Sequence, residues 1–130
     1  MSLQNLSRIG WALTALFALF MIGASAAPKL MKMPLVTDIM TTLGWPTAPT
    51  MLIGVMELGF TLLFLFPPTA LFGAILMTGL YGGAIVTNLR ADQPMFSHTL
   101  FAIYLGILMW LALWLRDPAF RAVFPIRRAN

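Results

Sequence analysis

Long apolar runs alternate along the chain with short stretches in which proline, glycine and charged residues collect. Ile9 to Pro28 is uncharged, Ala48 to Phe66 carries only Glu57, and Thr69 to Leu89 and His98 to Leu115 contain no Asp, Glu, Lys or Arg. Each run approaches the roughly 20 residues that a helix needs to cross the hydrocarbon core of a bilayer. The pattern therefore predicts an all-α fold, a four-transmembrane-helix bundle with spans at about 9–28, 48–66, 69–89 and 98–115. A basic tail, residues 116–130, is expected on a membrane surface, and the whole of 1–130 reads as a single integral membrane domain.

The breaks between the runs refine this. Ala24-Ser25-Ala26 could be read as a signal-peptidase site, but the run around it is longer than an ordinary signal-peptide core, so a first membrane helix is expected. Its small residues Gly10, Thr14 and Ala18 recur at every fourth place, the spacing that lets a neighbouring backbone come close. Between spans one and two, Val36, Ile39, Met40 and Leu43 fall at i, i+3, i+4 and i+7, which predicts a short interfacial helix stopped by Gly44, with Trp45 at headgroup level. That helix is either a lid or a plain anchor. Pro67-Pro68 cannot continue a helix and makes spans two and three an antiparallel hairpin. In span three, Gly79 and Gly83, with Ala74, Thr78 and Gly82 beside them, predict the tightest packing of the four. Asp92 or Ser97 is the expected cap of span four, and Trp110 and Trp114 are its interfacial aromatics.

Composition agrees with the pattern. The chain is 60% hydrophobic and 9% charged, against about 25% charged for a soluble domain. The net charge of +4 sits at the ends of apolar runs, which suits anionic lipid headgroups and not nucleic acid. With no cysteine and one histidine, thiolate, iron–sulfur and bis-histidine haem chemistry are excluded. His98 lacks ligand-type companions beyond Asp92 and Asn88, so no metal site is expected. No intrinsic cofactor and no catalytic motif is legible. Four spans place both termini on one side with Arg8, Arg116, Arg121, Arg127 and Arg128, against Lys29, Lys32 and Arg90 on the other. The excess of positive charge then orients both termini to the cytoplasm.

Glu57 is the only charge between Asp38 and Arg90. A carboxylate at that depth is costly and marks a functional or assembly-critical group; the alternative is a protonated acid acting as packing glue between helices. Counting about 1.5 Å per residue from the helix ends puts Glu57, Thr78, Tyr81 and Tyr104 at one level, with no cation beside them, so a protonated acid is expected. These four form the candidate ligand-binding group: hydrogen-bonding atoms in an apolar wall, suited to a lipophilic small molecule such as a quinone or a lipid. Asn88, Arg90, Asp92 and His98 form a second, outer polar cluster, within which His98 is expected to cap or orient Asp92.

Gly54-Val55-Met56-Glu57-Leu58, Phe66-Pro67 and Gly73-Ala74-Ile75-Leu76-Met77-Thr78-Gly79-Leu80-Tyr81-Gly82-Gly83-Ala84 resemble the core pattern of the DoxX-like membrane proteins. The resemblance extends to Thr87-Asn88-Leu89-Arg90, Gln93-Pro94-Met95-Phe96-Ser97-His98 and Leu115-Arg116-Asp117-Pro118, covering roughly residues 9 to 125. Many relatives carry histidine at the position of Asn88. The resemblance implies a small multi-pass protein of a bacterial inner membrane. Some members of the wider family are named as membrane subunits of quinone-linked oxidoreductases, including thiosulfate oxidation, so it also implies a lipophilic ligand and a redox partner protein. A structural or assembly role without a ligand remains open, as does a small transporter or channel, although no internal repeat supports the latter. The small-residue faces of spans one and three predict a homo-oligomer or a partner; packing within one chain is the alternative.

Overall fold

The computed structural model describes residues 2–46 and 48–127. Among these residues the secondary structure is entirely helical. Helix α1 covers Leu3–Leu30, α2 Pro34–Thr42, α3 Ala48–Leu65, α4 Ala70–Arg90, α5 Met95–Arg116 and α6 Pro118–Val123. Three stretches, Leu3–Leu30, Pro67–Arg90 and Met95–Arg116, are long and apolar enough to cross a membrane, and Pro49–Leu65 is a shorter apolar helix.

Helix α1 starts at Ser2, whose hydroxyl accepts from the Asn5 amide at 3.2 Å and so satisfies one of the free N–H groups of the first turn. It does not stop at Pro28 as the sequence predicts. Proline cannot donate to the carbonyl four residues back and its ring crowds that carbonyl. Here Phe20–Ala26 widens into a π-helical stretch in which the Ala27 amide bonds to Ile22, five residues back, and the helix runs through the proline to Leu30. The extension carries Ser25 and Lys29 on a helix, and the site depends on it.

Helix α2 follows its apolar pattern in part. Met40 is buried, Val36 and Leu43 are half-buried, and Ile39 is exposed. Its end is the predicted one: Gly44 takes φ +80°, a conformation that costs glycine nothing, while its amide bonds to Thr41 and that of Trp45 to Met40. The Pro67-Pro68 break forms a single 3-10 turn, Pro67–Thr69, that folds α4 back against α3.

Helix α1 packs along α5, the C-terminal part of α1 packs on α3, and α4 lies against both α3 and α5. The core is formed by Phe17, Phe64, Met21, Met77, Met109 and Leu113, all 0–1% exposed. The rings of Phe17 and Phe64 meet edge to face at 5.4 Å. Gly10, Thr14 and Ala18 are buried as predicted. A Cβ on Gly10 would lie 2.6 Å from the Arg116 backbone nitrogen, so this glycine sets the spacing of α1 and α5. The tight approach of α4 is at Gly73, where a Cβ would fall 2.5 Å from the Phe64 nitrogen. The prediction for Gly79, Gly82 and Gly83 is corrected: a Cβ on any of them would meet nothing within 4 Å. Their spacing is that of a packing motif, but no neighbouring helix closes on the face they occupy.

Candidate functional site

Glu57 is 7% exposed and is not alone. The Lys29 ammonium lies 3.0 Å from its Oε1 and 3.2 Å from its Oε2, and the Ser25 hydroxyl donates to Oε2 at 2.9 Å. Lys29 also donates to the Ser25 hydroxyl at 2.9 Å. The expectation that no cation stands beside this acid is thereby corrected. Ser25 and Lys29 are four residues apart, on one face of the extended α1. Side chains on a helix lean toward its N-terminus, so Lys29 near the end of α1 reaches back into the helical assembly and not out of it. Gly54 on α3 permits this contact, since a Cβ there would sit 3.0 Å from that of Lys29.

Thr78, Tyr81 and Tyr104 do not join Glu57. The Tyr81 hydroxyl donates to the Met21 sulfur at 3.0 Å within the core. Tyr104 is exposed and donates to the Phe96 carbonyl at 2.9 Å. The Thr78 hydroxyl donates to the Ala74 carbonyl and accepts from the Trp110 indole at 3.0 Å. Residue counts assign a level along each helix but not the rotation about its axis, and rotation separates the four.

The outer cluster is likewise dispersed. Asn88 donates to the Ala84 carbonyl one turn back, at 2.8 Å. The Arg90 guanidinium lies against Gly44. Asp92 occupies the turn after α4 with φ +53°. His98 pairs with the adjacent Ser97 hydroxyl at 2.7 Å, not with Asp92. Neither Asp92 nor Ser97 caps α5; Pro94 holds that position without a side-chain bond. Among the described residues no group of three metal-ligating side chains occurs.

Thr78 and Tyr81 instead line an apolar groove of about 720 Å³ between α4 and α5. Gly82 and Ile85 continue its α4 wall, and Ile103, Gly106 and Ile107 form the α5 wall. At one end Trp110 and Trp114 meet Phe124 and Pro125, which follow α6. The Trp110 and Phe124 rings stack at 5.6 Å, and the Trp114 indole donates to the Phe124 carbonyl at 3.1 Å. The groove exists because Gly82 and Gly106 leave it unfilled.

A second buried charge escaped the sequence reading. Arg116, expected in a surface tail, is 8% exposed. Its guanidinium donates to the Thr14 hydroxyl at 3.0 Å and to the Phe64 carbonyl, and it lies 4.4 Å from the ring centres of both Trp11 and Phe64. The signal was present in Pro67-Pro68. These prolines cannot donate to the carbonyls of Leu63 and Phe64, each four residues earlier. The Thr69 hydroxyl serves Leu63 at 2.8 Å and Arg116 serves Phe64. Pro118 similarly frees the Trp114 carbonyl, and Arg121 donates to it at 3.0 Å instead of lying free on a surface. Arg128 lies outside the described residues.

The sequence matches the model of the DoxX-like family over residues 12–112. No curated protein and no solved structure matches it. The chain belongs to the DoxX-like family.

Proposed function

We propose that the chain is a four-span protein of a bacterial inner membrane that binds a lipophilic small molecule, quinone-like or lipid, in the groove between α4 and α5. The observation that carries this reading is the groove itself, a cavity of about 720 Å³ with apolar walls, within the size range of small-molecule sites. In this reading α3 is the fourth span, α2 lies in the interface, and both termini are cytoplasmic. With Lys29 paired to Glu57 and Arg116 buried, the described charges left to set orientation are Arg8, Arg121 and Arg127 on one side and Lys32 and Arg90 on the other, the same sign of bias. The protein acts as a membrane subunit that presents its ligand to a redox partner protein, alone or as a homo-oligomer, and contributes no redox centre.

The test uses purified protein in detergent, with thermal unfolding followed with and without a long-chain quinone or extracted lipid. Gly106→Leu and Gly82→Leu fill the groove without backbone conflict, because a Cβ on Gly106 meets only Tyr81 at 3.8 Å and one on Gly82 meets nothing. The wild type gains several degrees from a bound ligand, on the order expected from mass action, and both variants lose that gain. An equal response in all three proteins defeats the reading.

A structural or assembly role without a ligand is the second reading. Its support is that, among the described residues, no buried side-chain nitrogen or oxygen lacks a partner, so the interior is complete without a ligand. A stable partner protein that co-purifies in the absence of any lipophile favours it.

A further inference from the structure

The groove can be read more finely, on the premise that it is a binding site at all. Every N–H and O–H donor on its lining side chains is already engaged. Thr78 donates to Ala74, Tyr81 to Met21, Trp110 to Thr78 and Trp114 to Phe124. A quinone headgroup presents carbonyl acceptors, and these would find no free donor on those side chains. Burying them without a hydrogen bond is unfavourable. A hydrocarbon chain has no such requirement. The groove extends from Ile103 to Trp114 along α5, about 16 Å at the helical rise, which matches an extended chain segment running along the helices.

One end of the groove is basic. The Arg121 guanidinium lies 4.9 Å from the centre of the Trp114 ring, which forms the groove wall there. Its Nε and one Nη are used on the Trp114 and Leu115 carbonyls, leaving the second Nη to donate elsewhere. Arg127 is exposed and follows two residues after Pro125, the last lining residue. An apolar trough that ends in two tryptophans, with Arg121 against one of them and Arg127 close along the chain to its last lining residue, has the layout of a membrane boundary, with a hydrocarbon zone, an aromatic belt and cations at headgroup level.

We propose that the α4–α5 groove binds an anionic phospholipid, one acyl chain lying along Ile103–Trp114 and the phosphate meeting Arg121 and Arg127. The proposal rests on the groove being a ligand site and adds the class of ligand, its direction and the two residues that select its charge.

Native mass spectrometry of the full chain released from detergent tests it, with phosphatidylglycerol, phosphatidylcholine of matched acyl chains, and a long-chain ubiquinone as probes. The wild type is expected to hold phosphatidylglycerol more than about tenfold tighter than phosphatidylcholine, since each basic side chain near an anionic headgroup contributes about fivefold. Arg121→Gln and Arg127→Gln should each lower phosphatidylglycerol binding about fivefold, and phosphatidylcholine, whose choline offsets its phosphate, by clearly less, while Gly106→Leu lowers both. If Arg121→Gln unfolds through loss of its bond to Trp114, Arg127→Gln at an exposed site carries the comparison. Equal binding of the two lipids, or tighter binding of the quinone than of phosphatidylglycerol, overturns the lipid assignment while sensitivity to Gly106→Leu keeps the groove as a site. Indifference of every probe to Gly106→Leu overturns both.

Discussion

The molecule satisfies a cation in each half by different means, a half-buried Lys29 in one and a buried Arg116 in the other. In the half that holds α2 and the α4–α5 turn, Lys29 meets a carboxylate, Glu57, with Ser25 bonding to both. In the half that holds the start of α1 and helix α6, Arg116 meets no carboxylate among the described residues: its partners are a backbone carbonyl, the Thr14 hydroxyl and two aromatic faces. The first arrangement is neutral as a unit and makes no demand on the backbone. The second repairs a defect in the backbone, the carbonyl that Pro68 leaves without a donor. A planar guanidinium suits the second task because it donates in its plane and stacks on rings above and below. An ammonium suits the first, where it bridges both oxygens of one carboxylate. The charges of these halves therefore answer to folding, and the ligand binding proposed above is assigned to the groove between α4 and α5.

The two centres should respond differently to substitution. Glu57→Leu leaves the half-buried Lys29 without its carboxylate and is expected to cost up to about 3 kcal/mol, the low end of the range for breaking a fully buried pair. Removing both partners, Lys29→Met with Glu57→Leu, should restore stability to within about 1 kcal/mol of the wild type, because a buried pair is readily replaced by apolar packing. Unfolding in a denaturing detergent titration gives these numbers, and a double variant as weak as Glu57→Leu would show that the pair is not self-contained. Arg116→Leu should cost about 2 kcal/mol by leaving the Phe64 carbonyl unsatisfied. Removing a second side chain should not relieve that loss, since the acceptor is main chain; recovery with Thr14→Val would break the comparison.

Smaller effects separate the glycines. Gly10→Ala forces α1 and α5 apart and should cost about 1–2 kcal/mol. Gly83→Ala enters open space and should be neutral or stabilising by about 0.5 kcal/mol, the gain in helix propensity. A marked loss at Gly83 in the same unfolding assay would mean that a second chain covers that face.

The sequence carried the helices well and their faces unevenly. Apolar runs and prolines placed three of the four long helices within one to three residues, and Gly10, Thr14 and Ala18 disclosed the α1–α5 contact. Pro28 misled, because a π-helical stretch let α1 pass through it and deliver Lys29 to Glu57. Tyr81 and Tyr104 were placed at a depth but not on a face. A helix that is apolar all round gives no periodic signal of which side is inward. Gly79 and Gly83 have the spacing of an interface, and only the positions of the other helices show that this face is uncovered within the chain. Arg116 was hidden by its place in a run of basic residues, yet Pro67 and Pro68 announced two carbonyls in need of donors.

The proposed ligand lies in the groove and not at Glu57. Photo-crosslinking with a diazirine-bearing lipophile, in membranes containing the wild-type protein, followed by mass spectrometry of the labelled peptides, tests it most directly. Labels are expected between Thr78 and Ile85 and between Ile103 and Trp114, competed away by unlabelled ligand. Competable labels concentrated at Ser25–Leu30 and Gly54–Thr61, with the groove unmarked, would contradict it.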